Sequence, residues 1–272
     1  MVAIQILSDL HLEAPKAYDV FEIVPNAPYL ALLGDIGNVV KDKKDFFAFI
    51  TVQLRQFRAV LFVPGNHEAY GSNWNDTVAA LESFEQEIRT RRATDEELGE
   101  FVLLDRGVFK VPGSDVVILG CSLFSFVPPE RMKQVSFSLN DFYSTTEWTI
   151  EDHNESHKRD VAWLNMQFAE LEKQVDVQTV AVFTHWTPTM DPRSIEPRFL
   201  NSPINSAFNT DLSSEACWKS AKLKVWAFGH THYNCDFEAE REGGKPVRLL
   251  GNQRGYFHVQ SGGFDNQGIV EL

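Results

Sequence analysis

The sequence predicts a protein of the α/β class. In the N-terminal half, short apolar stretches that are typical of strands alternate with longer amphipathic stretches that are typical of helices. The chain has 272 residues, of which 43% are apolar and 23% are charged, so its composition is that of a globular protein with a large core. No internal repeat, low-complexity tract or interdomain linker is visible. We therefore expect one domain over residues 1–272.

The first elements follow from hydrophobic periodicity. Strands are expected at residues 2–7, 29–33 and 59–63, and a helix at 41–58. A second helix is expected at 73–92, because apolar residues recur there at helical spacing: Trp74, Val78, Leu81, Phe84 and Ile88. Strands separated by helices predict a sheet that is covered on at least one face.

The second half of the chain differs from the first in the spacing of its predicted strands. Three closely spaced strand candidates at 101–104, 108–111 and 116–119 favour antiparallel hairpins. Residues 125–148 lack a clear period and contain Pro128, Pro129 and Asn140, so we expect a long loop or small cap that lines a substrate pocket over 125–157. A helix is expected at 151–175. Further strands are expected at residues 179–183, 223–228, 236–240, 247–250, 257–260 and 269–272.

Charge and cysteine usage exclude several classes of protein. There are 25 Lys and Arg against 38 Asp and Glu, a net charge of −13, which argues against a surface that coats a nucleic-acid polymer. Cys121, Cys217 and Cys235 form no CxxC pair, and we expect reduced thiols. The start of the chain lacks the features of a signal peptide, and no apolar run is long enough to span a bilayer. These observations predict a cytoplasmic protein without a membrane partner, and they leave the oligomeric state open.

Polar residues of a few types directly follow five of the predicted strands. The segments are Asp9-Leu10-His11, Gly34-Asp35, Gly65-Asn66-His67-Glu68, Thr184-His185 and Gly229-His230-Thr231-His232, and they contain five of the eight histidines. Ligands of layered α/β folds bind at the carboxyl ends of strands, so we expect these segments to meet. In extended chain, residues i and i+2 point the same way. That alternation would aim Asp9 with His11, and His230 with His232, at one point.

This set of side chains indicates a metal centre. Nitrogen and oxygen donors without thiolate suit Mn, Fe, Zn, Ni or Co, and they fit neither an iron–sulfur cluster nor an all-oxygen calcium site. One tetrahedral zinc ion would use too few of the ligands, whereas two ions that share a carboxylate would use them all. Two ions about 3.5–4 Å apart can generate a hydroxide and hold a phosphoryl group.

The ordered motifs resemble those of the calcineurin-like metallophosphoesterase superfamily, and they extend from Asp9 to His232. The resemblance implies a four-layer α/β/β/α sandwich of two mixed sheets flanked by helices, with two divalent or mixed-valence metal ions (Mn, Fe or Zn) at one rim. It implies that one ion is held by Asp9, His11 and His232, that the other is held by Asn66, His185 and His230, and that Asp35 bridges them. It further implies in-line attack on phosphorus by a metal-bridging hydroxide. In that mechanism His67 protonates the leaving group and Glu68 orients the His67 imidazole.

Departures from the superfamily's better-known branches narrow the expected activity. Ile36-Gly37-Asn38 replaces the Val-Asp-Arg-Gly continuation of serine/threonine phosphatases, and Asn38 stands where purple acid phosphatases have a metal-binding tyrosine. The chain then resembles compact phosphodiesterases such as the class III cyclic-nucleotide enzymes. We therefore expect a phosphodiesterase that acts on a small phosphodiester such as a 2′,3′- or 3′,5′-cyclic nucleotide. The alternatives are a phosphomonoesterase, a non-catalytic interaction module on the same fold, and hydrolysis of a carboxylic ester or amide.

Substrate contacts are less specified by the sequence. The candidates are Arg131, Asn140, His153, His157, Asn209 and Arg254, with Asp141, Tyr143 and Asn205 also within the polar excursions. The alternative is that these are ordinary surface residues, with His153 and His157 on the solvated face of a helix start. Trp148, Trp186 and Phe208 either stack on a nucleobase or belong to the core.

Overall fold

The computed structural model describes residues 1–241 and 244–272. The strands are β1 (Ala3–Leu7), β2 (Tyr29–Leu33), β3 (Ala59–Val63), β4 (Glu100–Leu103), β5 (Gly107–Lys110), β6 (Val116–Cys121), β7 (Thr179–Thr184), β8 (Leu223–Phe228), β9 (Cys235–Ala239), β10 (Val247–Gly251), β11 (Gly255–Tyr256), β12 (Val259–Gln260) and β13 (Ile269–Glu271). The helices are α1 (Lys43–Leu54), α2 (Trp74–Arg92), α3 (Pro129–Ser138), α4 (Asp141–Ser144), α5 (Ile150–Leu171) and α6 (Ala216–Lys219).

Two mixed sheets carry the fold. The first has the strand order β13-β1-β2-β3-β4, in which β1 to β4 are parallel and β13 is antiparallel to β1. The second has the order β5-β6-β7-β8-β10-β9, with parallel strands in the middle and antiparallel strands at both edges. Within each sheet, the carboxyl ends of the parallel strands therefore lie at one edge.

The sheets pack face to face between two layers of helices. One buried cluster joins both sheets, for example through Ile6 of β1 and Phe183 of β7. A second cluster covers the outer face of the first sheet with apolar residues of α1 and α2, such as Phe46. A third covers the outer face of the second sheet with residues of α5 and α6, such as Phe168 and Trp218. The expected four-layer α/β/β/α sandwich is confirmed.

Two local expectations are wrong, and the structure distinguishes between two alternatives for a third segment. Residues 101–104 do not form a hairpin with 108–111, because β4 pairs in parallel with β3 and the chain then crosses to the second sheet, where β5 pairs with β6. Of the two alternatives for 125–148, the small cap fits the structure better than the long loop, because the segment contains α3 and α4. The strand expected at 257–260 is shorter, because the chain turns at Phe257 and His258 and only Val259–Gln260 is strand, paired with β11.

The helix α5 begins at a capping box. The Thr149 hydroxyl accepts a hydrogen bond from the Asp152 amide, and the Asp152 carboxylate accepts one from the Thr149 amide, which satisfies backbone donors at the helix start. Both histidines of its first turns, His153 and His157, are buried. The expectation of a solvated face for these two residues is therefore wrong.

Two further features concern the length of the helices and the state of the cysteines. No helix in the described part of the chain is both long and apolar enough to cross a bilayer. The three cysteines are free thiols, with Cys121 and Cys217 buried and Cys235 partly exposed.

Candidate metal centre

The five polar segments meet at the rim where the two sheets face each other. Segments after β1, β2 and β3 of the first sheet oppose segments after β7 and β8 of the second. The His230 amide, after β8, donates a hydrogen bond of 3.0 Å to Oδ2 of Asp9, after β1. The His185 imidazole, after β7, donates from Nδ1 to the Leu33 carbonyl at the end of β2, at 2.7 Å. These contacts confirm that residues far apart in the chain converge there.

The backbone at the rim is strained. Five of the predicted ligands have a positive φ between 47° and 71°, namely Asp9, His11, Asp35, His230 and His232. Non-glycine residues rarely adopt this conformation, and it persists where the surrounding structure fixes it, often at functional sites. The expected extended alternation of Asp9 with His11, and of His230 with His232, is therefore wrong. Asp9 and His11 still share one ligand group, whereas His230 and His232 belong to different groups.

Two glycines permit the close approach of the segments. Gly34 has a φ of 85°, and a Cβ there would lie 2.5 Å from Nδ1 of His185. A Cβ on Gly229 would overlap the Ser8 hydroxyl and lie 2.7 Å from the Asp9 carboxylate. Only a residue without a side chain allows both segments to reach the rim.

The first ligand group consists of Asp9, His11 and His232. The two Nε2 atoms of the histidines are 2.9 Å apart, and Nε2 of His232 is 3.2 Å from Oδ1 of Asp9. Ligand atoms that each lie about 2.1 Å from one ion, at right angles, are about 3.0 Å apart. The spacing of these atoms therefore fits a shared cation.

The second group consists of Asn66, His185 and His230, with Asp35. Nε2 of His185 lies 3.1 Å from Oδ1 of Asn66 and 3.4 Å from Oδ1 of Asp35. The ligand atoms of Asp35, His185 and His230 all lie within 4.8 Å of one another. Nε2 of His230 is buried and has no hydrogen-bond partner among the described residues, a costly arrangement that a cation would relieve.

Asp35 lies between the two groups. Its Oδ1 faces His185, and its Oδ2 is 3.9 Å from Nε2 of His11. Burial disfavours the charged form of Asp35, but the nearby imidazoles, His185 first, outweigh burial and hold the pKa of the carboxyl well below its usual range. Burial also lowers the pKa of His230, so this imidazole is neutral and can donate a lone pair. The side chains present thus fit two cations with Asp35 between them.

Surrounding groups fix which atoms face the centre. The Nδ2 of Asn66 donates to Oδ1 of Asp141 at 2.9 Å and to the Tyr70 hydroxyl at 3.0 Å, which turns the carboxamide oxygen toward His185. The His185 Nδ1–H donates to a backbone carbonyl, which leaves its Nε2 free for a metal. The sequence interpretation missed the role of Tyr70. It considered Asp141 only as a pocket residue, because Asn66 and Asp141 are 75 positions apart.

The expected role of Glu68 is wrong. Its carboxylate is fully buried and accepts hydrogen bonds from the backbone amides of Asp35, Ile36 and Gly65, at 2.6–2.9 Å. It therefore fixes the loops that carry the ligands and does not contact the His67 ring. The carboxylate beside that ring belongs to Glu13, whose Oε1 accepts a hydrogen bond of 2.7 Å from Nδ1 of His67. The signal in the sequence was its place two residues after the ligand His11.

The His67 imidazole borders the centre without joining either ligand group. Its Nε2 lies 3.9 Å from Oδ2 of Asp35 and 3.4 Å from the Tyr256 hydroxyl, and its ring stacks on Tyr70. Burial lowers the pKa of His67, but the charges of Asp35 and Glu13 outweigh burial and raise it to about 9. The carboxylates of Asp35 and Glu13 thus favour the protonated form of this imidazole.

A cavity of about 690 Å³ opens over the centre. Its lining includes the predicted site residues Asp35, Asn66, His67, His230 and His232, together with residues 138–141 of the excursion. The candidate contact Asn140 lies in this lining. Asn209 is buried and lines an adjoining smaller cavity.

The structure does not bring the other candidate contacts to the cavity. Arg131 is exposed on α3, outside the residues that line it. The His153 ring accepts a hydrogen bond from the Ser125 amide, and His157 bonds to the Leu123 carbonyl, both in the interior. The Arg254 guanidinium lies over the Phe21 ring and donates to the Leu10 carbonyl. Their expected role in substrate binding has no contact in the described structure to support it.

The aromatic candidates divide between core and cavity. Trp186 is fully buried and stacks on Phe124, and Trp148 also packs near Phe124, as core residues do. Phe208 lines the cavity and stacks on the His230 ring, with ring centroids 5.0 Å apart. Among the three, Phe208 alone is placed to contact a ligand.

Comparisons with known proteins agree with this geometry. Residues 3–234 match a family described as calcineurin-like phosphoesterase. The chain is 27% identical over 285 residues to an uncharacterised protein of Acanthamoeba polyphaga mimivirus, with 96% of this chain and 94% of the relative covered. A solved structure of similar fold is the phosphopantetheinyl hydrolase of Mycobacterium tuberculosis, with a TM-score of 0.62 and 19% identity over 94% of this chain and 90% of that one.

Proposed function

Because this chain belongs to the calcineurin-like phosphoesterase family, we propose that it hydrolyses a phosphodiester bond in a small molecule. The observation that carries the proposal is the convergence at one rim of two groups of metal-ligand side chains around Asp35, with the His67 imidazole beside them. Metal-dependent phosphoester hydrolysis is the activity that the family and the ligand groups support. The preference for a diester is the further step.

The metal ions supply Lewis acidity when bound, which lowers the pKa of a water molecule and neutralises negative charge on phosphoryl oxygens. Asp9, His11 and His232 would hold one ion. Asn66, His185 and His230 would hold the other, with Asp35 shared. Mn, Fe or Zn are proposed, since these borderline ions accept mixed imidazole and carboxylate donors.

The His67 side chain is proposed as the proton donor to the leaving group. Its Nδ1 is held by Glu13, so its Nε2 points toward the centre and the open cavity. A proton on Nε2 can pass to the alkoxide that departs from phosphorus, as in general acid catalysis. Glu13 acts as a positioning residue, because it fixes both the ring and its tautomer.

The charge of the cavity favours a diester over a monoester. Arg198 is the only Lys or Arg among the described residues that line the cavity, and its guanidinium is paired with the Glu196 carboxylate at 2.7 Å. A phosphodiester carries one negative charge, whereas a monoester carries nearly two and needs more compensation. The net charge of −13 also opposes the approach of a nucleic-acid polymer. A small substrate with one negative charge, such as a 2′,3′- or 3′,5′-cyclic nucleotide, fits both the charge of the cavity and the net charge of the protein. A cytoplasmic location stays a prediction of the sequence.

Hydrolysis of bis-p-nitrophenyl phosphate by the manganese-reconstituted protein tests the proposal. Wild type and the control His258→Ala, which changes an exposed histidine, should both be active. His67→Ala should lose about 10²-fold or more of the activity toward a dialkyl phosphate, whose alkoxide needs a proton to depart, and less of the activity toward bis-p-nitrophenyl phosphate, while it retains the metal. Full activity of His67→Ala toward the dialkyl phosphate would contradict its assigned role.

The competing functions give different results in the same experiment. Faster turnover of p-nitrophenyl phosphate than of the diester would indicate a phosphomonoesterase, and preference for p-nitrophenyl acetate would indicate attack on carboxylic esters. Sub-stoichiometric metal after reconstitution, with no turnover, would indicate a non-catalytic interaction module.

A further inference from the structure

The cavity over the metal centre continues into a smaller apolar pocket, which we call the side pocket. It has a volume of about 170 Å³. Its lining residues are Ile195, Glu196, Phe199, Ser202, Ile204, Asn205, Phe208, Asn209 and Thr231. Five of these, Glu196, Phe199, Ile204, Phe208 and Thr231, also line the large cavity. The two spaces therefore share a wall, and one molecule can occupy both.

The shared wall lies against the metal centre. The Phe208 ring stacks on the His230 imidazole at an interplanar angle of 27°. Thr231, which lines both spaces, lies between the predicted ligands His230 and His232 in the chain. The side pocket and a phosphoryl group at the centre are therefore separated by about the width of one aromatic ring. A substituent of the same ester can reach the pocket.

Hydrogen bonds within the protein hold the walls of the side pocket in place without a ligand. The Asn205 Nδ2 donates to the carbonyls of Phe199, at 2.7 Å, and Leu200, at 3.1 Å, which ties the turn that carries Phe199 to Asn205. The Thr187 amide donates to the Phe208 carbonyl, and the Trp186 indole donates to the Ala207 carbonyl. The walls are thus held before binding, which lowers the entropic cost of binding.

The charged group at the side pocket is already paired. The Glu196 carboxylate accepts from Arg198, whose guanidinium also lies over the Phe199 ring at 4.6 Å. The apolar side chains of Ile195, Ile204 and Phe208 make up much of the remaining wall. Transfer of an apolar group from water to such a wall is favourable, whereas a charged group would lose hydration without a partner.

We propose that the side pocket binds an apolar or aromatic substituent of the phosphoester substrate. The proposal rests on the proposed function, since it assigns the substrate class of the same site. The volume of the side pocket is about 170 Å³, and a group the size of a water molecule takes about 30 Å³. The pocket therefore has room for about five or six such groups, which suits a short alkyl chain or one ring. The substrate class is then a small phosphoester that carries an apolar or aromatic substituent.

The test is a series of alkyl p-nitrophenyl phosphodiesters, from methyl to octyl, with the metal-reconstituted protein. Wild-type kcat/KM should rise by about fourfold per methylene until the side pocket is filled, and then level off. Ile204→Ser and Phe199→Ser should each reduce this rise, and the second variant guards against loss of folding because Phe199 is half exposed. Val175→Ser, at an exposed position outside both pockets, should keep the wild-type slope.

Calorimetric binding of methyl- to octylphosphonate to the same protein separates this proposal from the proposed function. Affinity that rises with chain length and is reduced in Ile204→Ser supports the side pocket even if no ester is hydrolysed, which would overturn the proposed function alone. Hydrolysis with a flat dependence on chain length, or a slope unchanged in both variants, overturns the side pocket and leaves the proposed function standing.

Discussion

Substitution of Asp141 by alanine tests whether a residue outside both ligand groups controls the metal centre. Asp141 is buried, and its Oδ1 accepts hydrogen bonds from Nδ2 of Asn66 at 2.9 Å and from the Tyr70 hydroxyl at 2.5 Å. These bonds hold the Asn66 carboxamide with its oxygen toward His185. Without the carboxyl group, the carboxamide can turn its NH₂ toward the metal position, where it cannot act as a ligand.

The magnitude follows from the contacts that are lost. A buried donor left without its acceptor costs about 1–3 kcal/mol, which corresponds to about 5- to 150-fold in an equilibrium constant. Outer partners of metal ligands typically change metal affinity by about 10- to 100-fold. We therefore expect Asp141→Ala to bind one of the two ions about 10- to 100-fold more weakly, and Asp141→Asn, which retains an acceptor oxygen, to lie closer to wild type.

The assay is metal binding by competition with a chromophoric chelator, together with elemental analysis after dialysis against limiting metal. Wild type should retain two ions and Asp141→Ala about one. Asp176→Ala removes an exposed carboxylate that pairs with Lys110, and it serves as the matched control with two ions retained. A folded Asp141→Ala protein with both affinities unchanged would refute the reasoning.

Three further predictions follow from other contacts. Glu13→Gln should reduce hydrolysis of dialkyl phosphates about tenfold more than that of p-nitrophenyl esters, because only a poor leaving group needs the proton that Glu13 helps His67 to deliver; equal losses would contradict this. Burial lowers the pKa of His153 to about 3, so the unfolded chain alone takes up its proton below about pH 6.5. Between pH 7.5 and 5, the free energy of unfolding in urea should therefore fall by about 2 kcal/mol more in wild type than in His153→Gln, and parallel pH curves would count against it. Gly34→Ala should lower the bound metal below two ions, since its Cβ would lie 2.5 Å from a ligand imidazole, whereas Gly113→Ala, at a positive φ but in open space, should bind two; full metal content in Gly34→Ala would exclude the packing argument.

The strands were predictable because burial on both faces of a strand requires a continuous run of apolar residues in the sequence. The strands Tyr29–Leu33 and Ala59–Val63 are continuous apolar runs that central parallel strands require, and their bounds agree with the structure. Spacing did not predict the pairing of β4, because Phe101 and Val102 are as compatible with a hairpin as with the parallel ladder that they form beside β3. A short strand carries no local sign of its partner.

The sequence interpretation expected Asp9 and His11 to approach one site because residues alternate along an extended strand, and that reason is wrong. Asp9 and His11 approach the same site from left-handed backbone conformations, and not as neighbours on one face of an extended chain. Hydrogen bonds to the segment after β2 hold that conformation, because the amides of Asp9 and His11 donate to the carbonyls of Gly34 and Asp35. The ligand identities lay in the sequence, while their backbone conformation depends on a second segment.

The sequence by itself determined the α/β class, most strands, and which imidazoles, carboxylates and carboxamide gather at the rim, because these depend on residue type and short-range periodicity. Only the tertiary structure decided that Glu13 rather than Glu68 holds His67, that Asp141 orients Asn66, and that Arg254 faces the interior. Glu13 and His67 are 54 positions apart, and Asn66 and Asp141 are 75 apart. Contacts of that kind arise from the path of the chain through two sheets, which no local pattern encodes.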